Sequence, residues 1–100
     1  MIKINLTKTN DILDKITIEG HSGYSEAGSD IVCASVSSIA ITSVNAILKI
    51  DEGSLKYKVK DGFIEVNILK HTDVIDLLLE NMIEHLDELR KQYSKYIKII

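Results

Sequence analysis

The sequence predicts a two-layer α+β fold, in which two β-hairpins form a sheet and two helices cover it. Two pairs of short segments alternate apolar and polar residues, a pattern typical of strands with one buried face. Two longer segments repeat apolar residues every three or four positions, which is typical of helices. The order along the chain is β-β-α-β-β-α, with a possible short strand at the C-terminus. Helices packed on a sheet in this way make a two-layer domain.

The first hairpin lies at the N-terminus. Residues 2–7 alternate apolar and polar side chains, and Thr9-Asn10-Asp11 is a turn signal. A second strand is predicted near Ile12 to Glu19. The hairpin therefore delivers His21 at the end of its second strand.

A polar, glycine-containing loop follows over residues 20–29. Gly20, Gly23 and Gly28 free its backbone. A solvated connection has this composition, and so does a mobile flap over a site. A histidine at one end and the only cysteine just beyond the other end favour the flap.

The first helix is predicted to begin after Ser29 or Asp30, either of which is a good N-cap, and to run to about Lys49. It is apolar over most of its circumference, and a helix of this kind is buried on more than one side. We expect it to pack on the sheet and to be covered again by the second helix or by a dimer partner.

The second hairpin is the strongest local signal in the chain. Two alternating runs, over residues 55–59 and 63–68, are joined by Asp61-Gly62. A second, amphipathic helix follows from about Val74 to Gln92, capped by Thr72 or Asp73. The tail over residues 96–100 suits either a short strand or a frayed helix end, and the strand is favoured.

Composition narrows the classes of function. One hundred residues predict a single domain over residues 1–100, and the net charge of −3 argues against a direct nucleic-acid binder. A lone cysteine fits a reducing compartment, and the N-terminal segment resembles neither a signal peptide nor a membrane span, so we expect a cytoplasmic protein with no membrane partner. One cysteine and three scattered histidines make no zinc signature, so no metal or other cofactor is predicted.

Cys33 and His21 are the candidate catalytic pair. A lone cysteine on a helix is most often a small packed residue. Here it lies in the first turn of the predicted helix, where the helix dipole and unpaired N–H groups favour a thiolate. The glycine-containing loop lets His21 approach it. A thiol beside an imidazole is the chemistry of a cysteine nucleophile with a general base.

Asp30 and Ser37 are the candidate supporting residues. They lie three residues before and four residues after Cys33, close to one face of the helix. Asp30 suits a helix cap, a third member that orients His21, or both, and we expect it to engage the backbone or His21 rather than the sulfur. Ser37 suits a hydroxyl that bonds back to the Cys33 carbonyl or one that faces the thiolate or the substrate.

These residues also carry a family resemblance. The run Gly-His-Ser-Gly at 20–23, followed by Gly-Ser-Asp-Ile-Val-Cys-Ala-Ser-Val-Ser at 28–37, resembles the signature of the ribosomal-processing cysteine proteases (Prp) of Firmicutes and related bacteria. The length and the element order of the whole chain are similar as well. Ser22 and Ser35 stand where that family more often has alanine, and neither change removes a catalytic group.

The resemblance implies a homodimeric endopeptidase with Cys33 as nucleophile and His21 as base. It implies removal of the N-terminal extension of large-subunit ribosomal protein twenty-seven by a cut after a pair of aromatic residues. The loop residues Ser22, Gly23, Tyr24 and Gly28 are then candidates for substrate binding. Two alternatives remain open from the residues alone: a dimeric module that docks on the ribosome with Cys33 packed, and a redox or acyl-transfer thiol.

Overall fold

The fold is a five-stranded sheet with two helices packed against it, which confirms the predicted α+β class. The computed structural model describes residues 1–25 and 30–100. In chain order the elements are β1 (Ile2–Thr9), β2 (Ile12–Glu19), α1 (Ile31–Ile50), β3 (Leu55–Lys60), β4 (Phe63–Ile68), α2 (Asp73–Gln92) and β5 (Ile97–Ile99).

The strands lie in the order β3-β4-β2-β1-β5. Every neighbouring pair is antiparallel except β1 and β5, which run parallel, with Ile2 opposite Ile97. The C-terminal tail is therefore a strand, the favoured one of the two predicted possibilities. It pairs with the N-terminal strand and forms one edge of the sheet.

Both hairpins turn as their sequences predict. Asn10 and Asp11 have φ values of 53° and 63°, and Gly62 has a φ of 69°. Left-handed backbone at the turn matches the twist of the two strands that it joins. The second turn places Gly62 at the same end of the sheet as the last residue of β2, because Phe63 pairs with Glu19.

The core lies between the sheet and the helices. Register places Ile4 opposite Ile18 and Ile16 opposite Val66, so alternate residues of neighbouring strands share one face. Each helix adds a buried stripe to the same apolar cluster. The buried residues of α1 are Val32, Val36, Ala40, Val44 and Ile47, and those of α2 are Ile75, Leu79, Met82 and Leu86.

The buried stripe of α1 is narrower than its apolar surface. One flank contacts α2, while Ile31, Ile41 and Ile50 remain 52%, 36% and 55% exposed. By length and composition α1 is apolar enough to cross a membrane, with a mean hydropathy of 1.9. Core helices share that property, and five residues of α1 lie in the core of this protein. The second layer of cover predicted for α1 is thus provided in part by α2.

Candidate active site

His21 and Cys33 line one cleft of about 150 Å³ at an end of the sheet. His21 lies just beyond β2, and Cys33 lies in the first turn of α1. Ser37, one helical turn after Cys33, lines the same cleft. Apolar side chains from β1, β2, α1 and the second hairpin complete its walls, namely Ile2, Ile18, Val36, Val59, Phe63 and Ile64.

Asp30 caps the helix that carries the cysteine. Its backbone is extended (φ −79°, ψ 100°), and its Oδ1 accepts hydrogen bonds from the Val32 and Cys33 N–H groups, each at 3.0 Å. The cap begins α1 at a defined residue and thereby sets the direction of the Cys33 side chain. It also occupies two of the N–H groups that the helix terminus could otherwise offer to a substrate oxyanion.

Ser22 joins the loop to this cap. Its side chain is buried, with 4% exposed, and its hydroxyl donates a hydrogen bond to Oδ2 of Asp30. The Ser22 hydroxyl oxygen also accepts a hydrogen bond from the Tyr24 N–H at 3.0 Å. The Ser22 N–H donates to Sγ of Cys33 at 3.3 Å. Ser22 therefore touches both the cap and the sulfur, and its side chain points into the protein rather than toward a substrate surface.

The hydrogen bonds lower the pKa of Asp30 from 3.8 to about 2. The Ser22 hydroxyl is the largest cause; burial opposes it, and contacts with Cys33 and Val32 add to the lowering. The side chain of Cys33 is among those contacts, so Asp30 contacts the thiol as well as the backbone, and the expectation that it would avoid the sulfur is wrong. Within residues 1–25 and 30–100, no hydrogen bond joins Asp30 to His21.

The backbone of His21 is held on both sides. The Gly20 N–H donates to the Gly62 carbonyl at 2.9 Å, and the Met1 nitrogen donates to the His21 carbonyl at 2.5 Å. Gly20 has a φ of 98°, and a Cβ there would lie 2.4 Å from the Met1 carbonyl oxygen. The chain can reach the cleft by this route only because residue 20 has no side chain.

The Ser37 hydroxyl differs from those of the other serines on α1. Neighbouring serines bond back along α1, Ser35 to the Ile31 carbonyl at 2.6 Å and Ser43 to the Ile39 carbonyl at 2.7 Å. Among the described residues the Ser37 hydroxyl makes no such bond to the Cys33 carbonyl, and Ser37 lies in the cleft lining instead.

Tyr24 turns toward the C-terminal part of the chain. Its ring packs edge-on against Tyr93 (centroids 5.7 Å apart) and Tyr96 (5.3 Å). Gly23 is exposed beside it, with a φ of 73°. Gly28, the fourth predicted substrate-binding residue, lies outside the described residues.

The other histidines lie elsewhere on the surface. Nδ1 of His71 is 2.6 Å from Oδ1 of Asp76, and Nδ1 of His85 is 2.8 Å from the Asn81 carbonyl. In the described part of the chain, no group of three or more His, Cys, Asp or Glu side chains is placed to hold a metal ion.

Two features of the site were missed from the sequence. The Ser22–Asp30 contact joins residues eight positions apart through a loop, and no periodic pattern marks such a pair. The turn of the second hairpin forms a wall of the cleft, although it is some forty residues from His21 along the chain. The Asp61-Gly62 signal predicted the turn, but it did not predict that His21 would lie against that turn.

Both the sequence and the fold of this chain are similar to those of known proteins. Residues 1–98 match the sequence profile of the family described as cysteine protease Prp. The ribosomal processing cysteine protease Prp of Staphylococcus aureus is 26% identical over 103 residues, covering 99% of this chain and 97% of that protein. Its crystal structure with a covalently linked product peptide superposes with a TM-score of 0.91 at 26% identity, over 99% of this chain and 97% of that one. A second S. aureus Prp structure, with a substrate peptide, gives 0.87 at 25% identity, over 100% and 98%. The chain described here, with its thiol at a helix N-terminus and its histidine across the cleft, belongs to the Prp family of cysteine proteases.

Proposed function

We propose that this protease removes the N-terminal extension of large-subunit ribosomal protein twenty-seven, cutting after a pair of aromatic residues. One observation carries the catalytic part: a histidine and a partly exposed cysteine at a helix N-terminus line the same cleft. The neighbouring Val32 and Val36 are buried in the core, whereas Cys33 packs against the core and remains partly exposed. The S. aureus relatives bound to substrate and product peptides support a peptide as the ligand.

In this mechanism Cys33 is the nucleophile and His21 the general base. His21 takes the thiol proton as Sγ attacks the scissile carbonyl, and the imidazolium returns that proton to the leaving amine. The C–N bond breaks, and the acyl group stays on Sγ as a thioester. His21 then takes a proton from water, whose oxygen attacks the thioester and releases the acid product and the thiol.

The oxyanion of the tetrahedral intermediate needs backbone donors close to Sγ. The Val32 and Cys33 N–H groups already donate to Asp30. The Ser22 N–H, 3.3 Å from Sγ, lies beside the reacting atom and is the donor we assign to this role. Ser37, in the lining of the cleft, is assigned to contact with the bound peptide.

The ribosomal substrate comes from the family resemblance, and the walls of the cleft support an apolar residue near the cut. Isoleucine, valine and phenylalanine side chains line the cleft, and these suit the apolar part of an aromatic residue. We assign Gly23, Tyr24, Gly28 and the backbone of Ser22, whose side chain points inward, to one wall of the groove. A Tyr24→Ala variant with unchanged turnover and affinity for the peptide would remove Tyr24 from that assignment.

The proposal includes a homodimer in the cytoplasm. The exposed apolar side chains of α1, Ile31 and Ile41 among them, offer surface for a partner copy to cover. Light scattering at micromolar concentration tests the dimer: a monomer mass would remove that part of the proposal and leave the protease assignment intact.

The direct test is cleavage of a peptide that carries the ribosomal N-terminal extension, under reducing conditions. Wild type, Cys33→Ala and His21→Ala are compared by mass spectrometry. We expect one cut after the aromatic pair, lost in both variants, while thermal unfolding shows that all three proteins are folded. If folded wild type leaves both this peptide and the full-length ribosomal protein intact, the substrate assignment is wrong. If His21→Ala cuts as fast as wild type, the base is another group.

A further inference from the structure

The turn of the second hairpin lies directly under the imidazole of His21. A Cβ built on Gly62 would be 2.8 Å from Nε2, 3.3 Å from Cε1 and 3.5 Å from Cδ2 of that ring. A Cβ atom makes no hydrogen bond and does not approach another heavy atom as closely as the first of these distances, so the ring would have to move. The ring thus occupies the space that any side chain at residue 62 would need.

The same turn also holds the backbone that precedes the histidine. The Gly62 carbonyl accepts the Gly20 N–H at 2.9 Å. Gly62 and the residues on either side of it line the cleft together with His21 and Cys33. Gly62 therefore accepts a hydrogen bond from the Gly20 backbone and, because it has no Cβ, leaves room for the His21 ring.

We infer that Gly62 is a positioning residue for the proposed general base: its missing side chain lets the His21 imidazole lie over the hairpin turn, toward the cleft that Cys33 lines. This inference rests on the proposed role of His21. The ring is the far end of a side chain with two rotatable bonds, so a Cβ at residue 62 displaces the ring rather than the hairpin. The substitution should then lower activity by disturbing the geometry of proton transfer, while the fold is retained.

A second effect of changing Gly62 has to be separated from this one. Its φ of 69° is left-handed, so a substitution strains the turn wherever the histidine lies. Asparagine tolerates this conformation better than alanine does, yet both carry the same Cβ. Ring displacement therefore predicts equal losses of activity in Gly62→Ala and Gly62→Asn, whereas turn strain predicts a larger loss for alanine. Asp11→Ala supplies the matched control, because Asp11 has a φ of 63° in the turn of the first hairpin.

The experiment measures kcat and KM on the extension peptide for wild type, the two Gly62 variants and Asp11→Ala. We expect kcat to fall by about tenfold or more in both Gly62 variants, with KM within about twofold, and to stay near wild type in Asp11→Ala. The His21 ring resonances, assigned by their loss in His21→Ala, should shift in both Gly62 variants and stay unchanged in Asp11→Ala. Alkylation of Cys33 by iodoacetamide should be slower in Gly62→Ala than in wild type, but no slower in the His21→Ala, Gly62→Ala double variant than in His21→Ala.

The outcomes distinguish this inference from the proposed function. Wild-type kcat and unmoved His21 resonances in folded Gly62→Asn overturn the positioning role, while an inactive His21→Ala would still support the base. If wild type cleaves no peptide, the substrate assignment fails, and the ring resonances with the alkylation rates decide the role of Gly62. Activity that falls in proportion to the melting temperature across the three variants assigns the effect to strain and overturns the inference.

Discussion

The two helices are each 20 residues long and begin in the same way, yet the N-terminus of α1 carries the candidate nucleophile and that of α2 is a structural cap. In each helix the N-cap side chain accepts the N–H of the third residue after it, which is Cys33 in α1 and Ile75 in α2. Cys33 is partly exposed to the cleft, whereas Ile75 is 1% exposed in the core.

The charges near the two termini differ as well. The first turn of α2 carries Asp73 and Asp76, and that of α1 carries no acidic residue. Carboxylates in a first turn stabilise a helix by meeting the positive end of its dipole. In α1 the carboxylate stands at the N-cap instead, where Asp30 accepts the Val32 and Cys33 N–H groups, whereas the N-cap of α2 is the neutral Thr72. The two termini thus differ in the position of their carboxylates and in the exposure of the third residue after the cap.

The largest expected effect comes from moving the thiol between the two equivalent positions. In a Cys33→Ala, Ile75→Cys variant the new thiol lies at the same place relative to a cap, but it is buried and flanked by carboxylates. We expect its alkylation at pH 7 to be at least about 100-fold slower than that of Cys33 in wild type. Mass spectrometry of timed iodoacetamide reactions measures both rates.

The control for this experiment is the same reaction in strong urea, where both thiols should react at one common rate. Rapid labelling of residue 75 in the folded protein would contradict the comparison. It would show that the third position of a capped helix is sufficient for reactivity.

The second effect concerns the charge of the cap. Asparagine caps helices about as well as aspartate does, but Asp30→Asn replaces one carboxylate oxygen with a donor. It thus loses an acceptor for either Ser22 or the helix N–H groups. We expect kcat/KM to fall by about 10- to 100-fold as the Ser22–Asp30–Cys33 arrangement loosens, with the helix retained. Peptide kinetics and far-UV circular dichroism measure these two properties, and full activity in Asp30→Asn would limit Asp30 to capping.

The fold was predictable because its signals are local. The period-two runs at residues 12–19 and 55–68, and the turns at Asn10-Asp11 and Asp61-Gly62, each specify structure within a few residues. The sequence offered two candidate caps for each helix: Ser29 or Asp30 for α1, and Thr72 or Asp73 for α2. In the structure the N-caps are Asp30 and Thr72.

The site was predictable only where its chemistry lies in one stretch of sequence. His21 and Cys33 stand at the two ends of one loop, so their placement in one cleft could be predicted. The contact of His21 with Gly62 and that of Tyr24 with Tyr93 and Tyr96 depend on how distant elements pack. Composition and periodicity carry no information about such contacts.

A smaller effect is expected at the other cap. Thr72 accepts one hydrogen bond, from the Ile75 N–H at 3.2 Å, and it lies outside the cleft lining. Thr72→Ala should lower the free energy of unfolding by about 1 kcal/mol and leave kcat/KM within about twofold of wild type. Urea unfolding monitored by circular dichroism measures the first value, and Thr72→Ser should restore it. A loss of activity at constant stability would show that α2 takes part in the site.

The smallest effect is a difference in pH dependence between the two caps. The pKa of Asp30 is lowered from 3.8 to about 2, so its ionised form stabilises the fold above pH 4, and that contribution is lost as the pH falls through about 2. Thr72 does not ionise. The stability difference between wild type and Asp30→Asn should therefore shrink from pH 5 to pH 2, whereas the difference between wild type and Thr72→Ala should not change through titration of the cap itself.

Ser22→Ala isolates the cause of the lowered pKa. The Ser22 hydroxyl is the main reason that the Asp30 carboxylate stays ionised in acid, so its removal should raise the pKa of Asp30 toward 3.8. A carbon-detected NMR titration of the carboxylates, with Asp30 assigned by its absence in Asp30→Asn, measures the midpoint. Asp51 and Asp87 also have lowered pKa values, caused chiefly by the Gly53 N–H and by Arg90, and their midpoints should not move. An unmoved Asp30 midpoint would mean that the helix N–H groups alone hold the carboxylate, and the two caps would then differ only in charge.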